Sequence, residues 1–379
     1  MLRFVQSALS FGMLLFALSA CVPDAGILSG GSWQSAGLAN QRIRAIAVDP
    51  NNPQTLYAGG TQGAIFVSID AGQHWTKRST ISSSPTMLYA LSLNSSGKKL
   101  YASTDAGLFV TTDAARQWNV ISTSSSGLPS DGYTAVAFGS GGSAYIGTTH
   151  HGVFMSNNDG AIWKSASGNL PQNRVINGLA VDTAQNRLWV ATSSGAYHSD
   201  DEGKSWSSSH NGLPTDGVVN TIQPAIAVDG SQGLVYAGTK HGFFRSLDSG
   251  AHWTLSSSAL QGVSVYSILV DFRSANGSTV YVGTNAGAFR SDDGGQNWRG
   301  VASGFPRKTP VYVLVTGANN NSQLYAAAND VYLFPGSNTG ISPSRIISLL
   351  LIVLFFFLLY VLIRRGARRQ RSMFKSDSI

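Results

Sequence analysis

The chain has 379 residues, 43% hydrophobic and only 12% charged, with 42 glycines; this excludes a disordered chain and implies a sizeable core interrupted by many turns. Its net charge of +7 does not mark a nucleic-acid-binding surface, because between residues 22 and 344 there are 18 Lys+Arg against 18 Asp+Glu. The excess sits at the ends, in Arg3, Arg345 and the run Arg364, Arg365, Arg368, Arg369, Arg371 and Lys375, faced only by Asp377.

Residues 1–20 carry one basic residue, an apolar run and then small residues, the plan of a secretory signal. The segment ends at Cys21, the only cysteine, so no intramolecular disulfide can form and the rest must be held by its core alone. The ending LSAC resembles the bacterial lipobox, which implies lipidation of Cys21 as the mature N-terminus and a linker over 21–30. An ordinary cut before Cys21 would put Leu18 where a small residue is wanted. Ordinary cleavage and an uncleaved anchor remain the alternatives, and all three leave the body outside the cytoplasm.

The body is a repeat array. The octet SIDAGQHW at 68 returns as TTDAARQW at 111, SNNDGAIW at 156, SDDEGKSW at 199, SLDSGAHW at 246 and SDDGGQNW at 291. Its third residues are Asp70, Asp113, Asn158, Asp201, Asp248 and Asp293, and it closes on Trp75, Trp118, Trp163, Trp206, Trp253 and Trp298. A period of 43 to 47 residues matches a four-stranded blade. In each unit an apolar strand such as AIAVD precedes a second such as TLYAGG, a third such as HGFFRS, the octet, and a fourth strand begun by the Trp; alternation and β-branched residues favour strands. The octet's Ser/Thr and Asp should bond the backbone of the turn, its Gly supply positive φ, and its Trp bury a ring between neighbouring sheets. Ala115 stands where that Gly is expected and should strain its turn; Asn158 should keep the turn chemistry. Asp49, Asp182 and Asp229 end first strands, where a bond to the following turn is expected. Arg245 and Arg290, just before the octet serine, read as ion-paired or hydrogen-bonded.

Residues 311–335 supply three strands without an octet, and GSWQSAGL at 31 a fourth with Trp33. Joined, they make a seventh blade that pairs the two chain ends and closes the ring. The expected fold is all-β, a seven-bladed propeller over 31–335, then a linker over 336–345. Residues 346–363, IISLLLIVLFFFLLYVLI, carry no charge and are long enough for one transmembrane helix, and the basic tail 364–379 places itself on the cytoplasmic side. The expected location is therefore the inner or plasma membrane, with the propeller extracytoplasmic and the lipid bilayer as one partner.

The pattern S/T-x-D-x-G-x-x-W resembles the Asp-box, or BNR repeat, of sialidases, sortilin-type receptors, xyloglucan-cleaving endoglucanases and photosystem II assembly factors. In those families the box lies away from the ligand, so the resemblance implies a fold more than a function. A sialidase resemblance would require a Glu partner, and the only glutamate, Glu202, lies inside a box. An endoglucanase using two carboxylates would draw on Asp105, Asp131, Asp216 or Asp330 in loops, but that family forms its cleft between two propellers. A glycoside hydrolase is the alternative; the preferred reading is a non-catalytic scaffold for an extracytoplasmic protein or glycan, and a sixteen-residue tail is too short for a folded output domain of a sensor. No cofactor and no metal site is expected, the histidines lacking further ligands close by. In four-stranded blades the links and second-to-third turns share the face opposite the boxes, and their loops are less bound by the repeat. That face carries Arg174, Lys240, Arg307 and Lys308, joined when protonated by His150, His151 and His241, and is expected to take an anionic or polar partner.

Overall fold

The computed structural model describes residues 32–225, 233–272, 278–301, 303–306, 308–317 and 323–334. The strands, from Gln34–Ser35 to Val331–Phe334, form seven four-stranded antiparallel sheets. Blade 1 comprises Ala45–Val48, Leu56–Gly59, Ala64–Ser68 and Thr76–Thr80. Blades 2 to 6 begin at the first strands Leu88–Leu93, Tyr133–Phe138, Ile176–Asp182, Val219–Ala225 and Val265–Asp271. Those first strands neighbour one another all the way round, so they form the inner ring. The fourth strands are two residues long in all blades but the first, and such short outer edges give another chain little to pair with.

The seventh blade closes as the sequence predicts. Val313–Thr316, Leu324–Ala327 and Val331–Phe334 are completed by Gln34–Ser35, with Gln34 opposite Leu333 and Ser35 opposite Tyr332. Trp33 is buried against Phe305 and Phe334, and its indole N–H donates to the Val301 carbonyl at 2.6 Å.

The boxes follow the expected chemistry. In blade 1 the Ser68 hydroxyl donates to Asp70 at 2.8 Å while accepting from the Gly72 N–H, and Asp70 accepts from the His74 N–H. Asn158 takes the same two roles, accepting from the Ser156 hydroxyl and the Ile162 N–H. Ala115 sits at φ 63°, so the expected strain is present. The residue before it is left-handed as well: Ala71, Ala114, Asp159, Glu202 and Ser249 have φ between 57° and 62°. The sequence reading missed that second position. The tryptophans pack between neighbouring sheets as expected, but unevenly: Trp163, Trp206 and Trp253 are buried, whereas Trp75, Trp118 and Trp298 are half-buried. Asp49 and Asp182 cap the turns after their strands through the N–H groups of Asn51 and Ala184; Asp229 lies outside the described residues. Arg290 pairs with Asp292 at 2.6 Å, whereas the buried Nε of Arg245 has no hydrogen-bond partner among the described residues.

Candidate functional site

On the face opposite the boxes, each link enters a first strand beside its own blade's second-to-third turn. In blades 2, 3 and 5 an aspartate ties the two together. Asp131, in the link to blade 3, has a side chain only 3% exposed. It accepts from the Thr149 hydroxyl and from the N–H groups of His150 and His151 at 2.9 and 3.2 Å. The Nδ1 atoms of His150 and His151 lie 2.9 and 2.8 Å from its two oxygens. Burial pushes this carboxyl up, but the bonds from Thr149, His150 and His151 outweigh it and hold it below the ordinary carboxylate range. Asp216, in the link to blade 5, meets Lys240 Nζ at 2.6 Å and His241 Nε2 at 2.8 Å, and the Lys240 bond brings its carboxyl down to about 2. In blade 2 the turn supplies the carboxylate, Asp105 accepting from the Met87 N–H; in blade 7 Asp330 accepts from Ser35, Leu38 and its own neighbour Val331.

Four of the seven expected binding residues are therefore already matched to carboxylates. His150 and His151 share one carboxylate, and Lys240 and His241 share another. Arg174 and Lys308 are exposed and make no ion pair with a described residue, while Arg307 lies outside the described residues. The links are also more bound by the repeat than expected. The carbonyls of Ser126, Asn211 and Ser303 accept from the backbone N–H of Trp163, Trp253 and Trp33, so the first half of each link fills the gap beneath a tryptophan. Glycine follows each carbonyl because a Cβ at Gly212 or Gly304 would come within 2.1 or 2.0 Å of that tryptophan's carbonyl oxygen.

A ring of side chains that the sequence reading did not single out surrounds the inner end of this face. Each first strand enters with one residue outside the ladder. In blades 2 to 6 these are Tyr89, Thr134, Asn177, Asn220 and Tyr266, marked by register shifts. Arg44 and Tyr312 hold the matching positions ahead of blades 1 and 7, each donating its N–H to the second strand. Thr134, Asn177 and Asn220 are stitched to the next blade through the carbonyls of Ile176, Val219 and Val265. The others are not: Tyr266 and Tyr312 stack with centroids 5.7 Å apart, and the Arg44 guanidinium lies 4.1 Å over Tyr312. Alternating hydrophobicity carries no sign of this ring, since its members differ in chemistry and only the register aligns them.

On the box face, a cleft of about 540 Å³ is lined by Asp49, Lys98, Lys99 and Asp159 among others, but Lys99 is already paired with Asp159 at 2.9 Å. No group of three or more His, Cys, Asp or Glu side chains suited to a metal ion occurs among the described residues. No described helix is long and apolar enough to cross a membrane; Cys21 and the apolar run 346–363 lie outside the described residues.

Residues 30–174 match the family model described as Photosynthesis system II assembly factor YCF48. No curated protein matches the chain. Among solved structures it is similar to YCF48 bound to D1 peptide, at 16% identity and a TM-score of 0.64, covering 83% of this chain and 99% of that one. It is similar also to YCF48 from Cyanidioschyzon merolae, at 17% identity and 0.60, covering 81% and 99%. The GH74 xyloglucanase from Xanthomonas campestris gives 15% and 0.60, covering 83% of this chain but only 55% of the enzyme. Six boxes in register, their shared turn geometry and these likenesses show a seven-bladed β-propeller built on Asp-box, or BNR-type, repeats.

Proposed function

We propose that this chain is a membrane-anchored extracytoplasmic scaffold, non-catalytic, that binds a protein partner through the face opposite its boxes. The observation that carries the reading is the fate of the loop carboxylates. A glycoside hydrolase needs two carboxyl groups free to act on opposite sides of a glycosidic bond. Asp105, Asp131, Asp216 and Asp330 instead each accept from backbone N–H groups of their own clasps. The same face keeps exposed cations without partners among the described residues, Arg174 and Lys308. A similar propeller, YCF48, has been seen with a bound D1 peptide, which supports a polypeptide over a glycan as the partner here. Anchoring through Cys21 and residues 346–363, with the tail 364–379 in the cytoplasm, rests on the terminal sequences alone.

The test is crosslinking in intact membranes with charge reversed at Arg174, Lys240, Arg307 and Lys308 together, against four reversals on the box face. Capture lost only with the first set is expected; capture lost only with the second would overturn the assignment. Protease added to spheroplasts should digest the propeller and spare the tail, and cytoplasmic exposure of any blade would refute the orientation.

A further inference from the structure

Four of the seven ring positions on the proposed binding face are not stitched to a neighbour, and they are consecutive: Tyr266, Tyr312, Arg44 and Tyr89 belong to blades 6, 7, 1 and 2. Tyr266 and Tyr89 are 36% and 38% exposed, and Met87, in the link leading to Tyr89, is 56% exposed. Large apolar side chains exposed together on one arc mark a contact surface more often than a solvated one.

Arg44 gives the arc its chemistry. Its guanidinium is held flat over Tyr312 by a cation–π contact, yet no described residue accepts a hydrogen bond from it or pairs with it. Elsewhere on this face the long-side-chain cation Lys240 and the histidines are matched to Asp216 and Asp131, and those acids lie in blades 3 and 5. No described carboxylate pairs with Arg44, since the acids of blades 2 and 7, Asp105 and Asp330, are bonded to the N–H groups of Met87 and of Leu38 and Val331, and the exposed Arg42 lies two residues away. A planar fork of donors, oriented in advance and without an acceptor, suits a carboxylate, which can take two of its N–H groups at once.

We infer that Arg44, braced on Tyr312, is the anchor for a carboxylate of a bound polypeptide, with Tyr89 and Met87 receiving an apolar side chain next to it. The inference rests on the face opposite the boxes being the binding face. A polypeptide is favoured over an acidic sugar because the ring beside the guanidinium, Tyr312, is already in use. One face of Tyr312 is covered by Arg44 and the ring stacks with Tyr266, leaving edges and hydroxyl groups rather than an open platform for a sugar ring.

The experiment titrates the full chain in detergent micelles with N-acetylphenylalanine, its amide and glucuronate, following the ring signals of 3-fluorotyrosine by 19F NMR. The acid should bind and shift the signals assigned to Tyr312 and Tyr89 by substitution; the amide should bind about tenfold more weakly or worse. Arg44→Gln should weaken the acid by about tenfold or more, Arg44→Lys should recover only part of it because the fork is lost, and Arg42→Gln should change it less than about twofold. Binding that is absent, unchanged in Arg44→Gln, or equal for acid and amide would overturn the inference, as would glucuronate binding as tightly as N-acetylphenylalanine. If partner capture still depends on the opposite face while Arg44→Gln leaves the acid bound, the anchor is wrong and the scaffold reading stands. If capture ignores that face altogether, the scaffold reading fails first.

Discussion

The hydroxyl of Tyr325, in blade 7, donates to the carbonyl of Ala71, in the box of blade 1, at 2.9 Å. The same latch joins Tyr101 to Asp159 and Tyr236 to Gly294, so a second-strand tyrosine reaches the next blade's box at three joints, one of them the closure of the ring. The box glycine is what lets the ring approach: a Cβ at Gly72 would come within 2.9 Å of Tyr325. Burial raises the Tyr325 phenol to about 12, so the latch keeps its proton throughout the physiological range. Tyr325→Phe should destabilise the propeller by about 1 kcal/mol, more if the Ala71 carbonyl is left dry, and Tyr236→Phe by a similar amount. Urea unfolding of the variants in detergent checks this; a loss at Tyr236 alone would show that closure does not use the latch.

The tryptophans should divide by burial. Trp253 is 3% exposed and its indole N–H donates to Ser209, so Trp253→Ala should cost about 3 to 5 kcal/mol and reduce the amount of folded protein rather than partner capture per folded molecule. Trp75 is half-buried and bonds only its own box, so Trp75→Ala should cost distinctly less. Equal losses in a thermal melt would contradict the division.

At the fifth box position the direction of substitution matters. Ala115 carries a left-handed φ of 63°, and Ala115→Gly should be neutral or stabilise by up to about 1 kcal/mol as strain and chain entropy offset. Gly250→Ala should destabilise by about 2 kcal/mol or more, because its Cβ would stand 2.3 Å from Ser209 Oγ and 2.6 Å from the Trp189 ring. Denaturant midpoints of the two variants should move in opposite senses, or the first not at all.

Acid should loosen the clasps in a defined window. Asp216 titrates near 2 in the fold and Asp131 is likewise lowered, both below the ordinary carboxylate value near 4. A depressed carboxyl contributes stability that is complete above about pH 4 and is lost as pH falls towards about 2. Asp131→Asn, which leaves the N–H groups of His150 and His151 poorly matched, should lower stability by about 1 to 3 kcal/mol at pH 7 and flatten the pH dependence below 4. Parallel stability curves for wild type and Asp131→Asn between pH 5 and 3 would rule out the clasp as the source of the acid sensitivity.

The period and the boxes were legible in the sequence because each depends on groups close along the chain. Ser68, Asp70 and Gly72 bond one another across four residues, and six copies of that turn leave little doubt about the period. Even the seventh blade followed, since three strands without a fourth and a Trp33 strand without three can be satisfied only by each other. Which cations stay free was decided by the tertiary structure: His150 and Lys240 read as binding residues until Asp131 and Asp216 arrive from links some twenty residues away to neutralise them. The contact of Arg44 with Tyr312 comes from opposite ends of the propeller and exists only because the ring closes. The register that sets both residues outside their ladders is a property of strand pairing, and periodicity along the chain cannot reveal it.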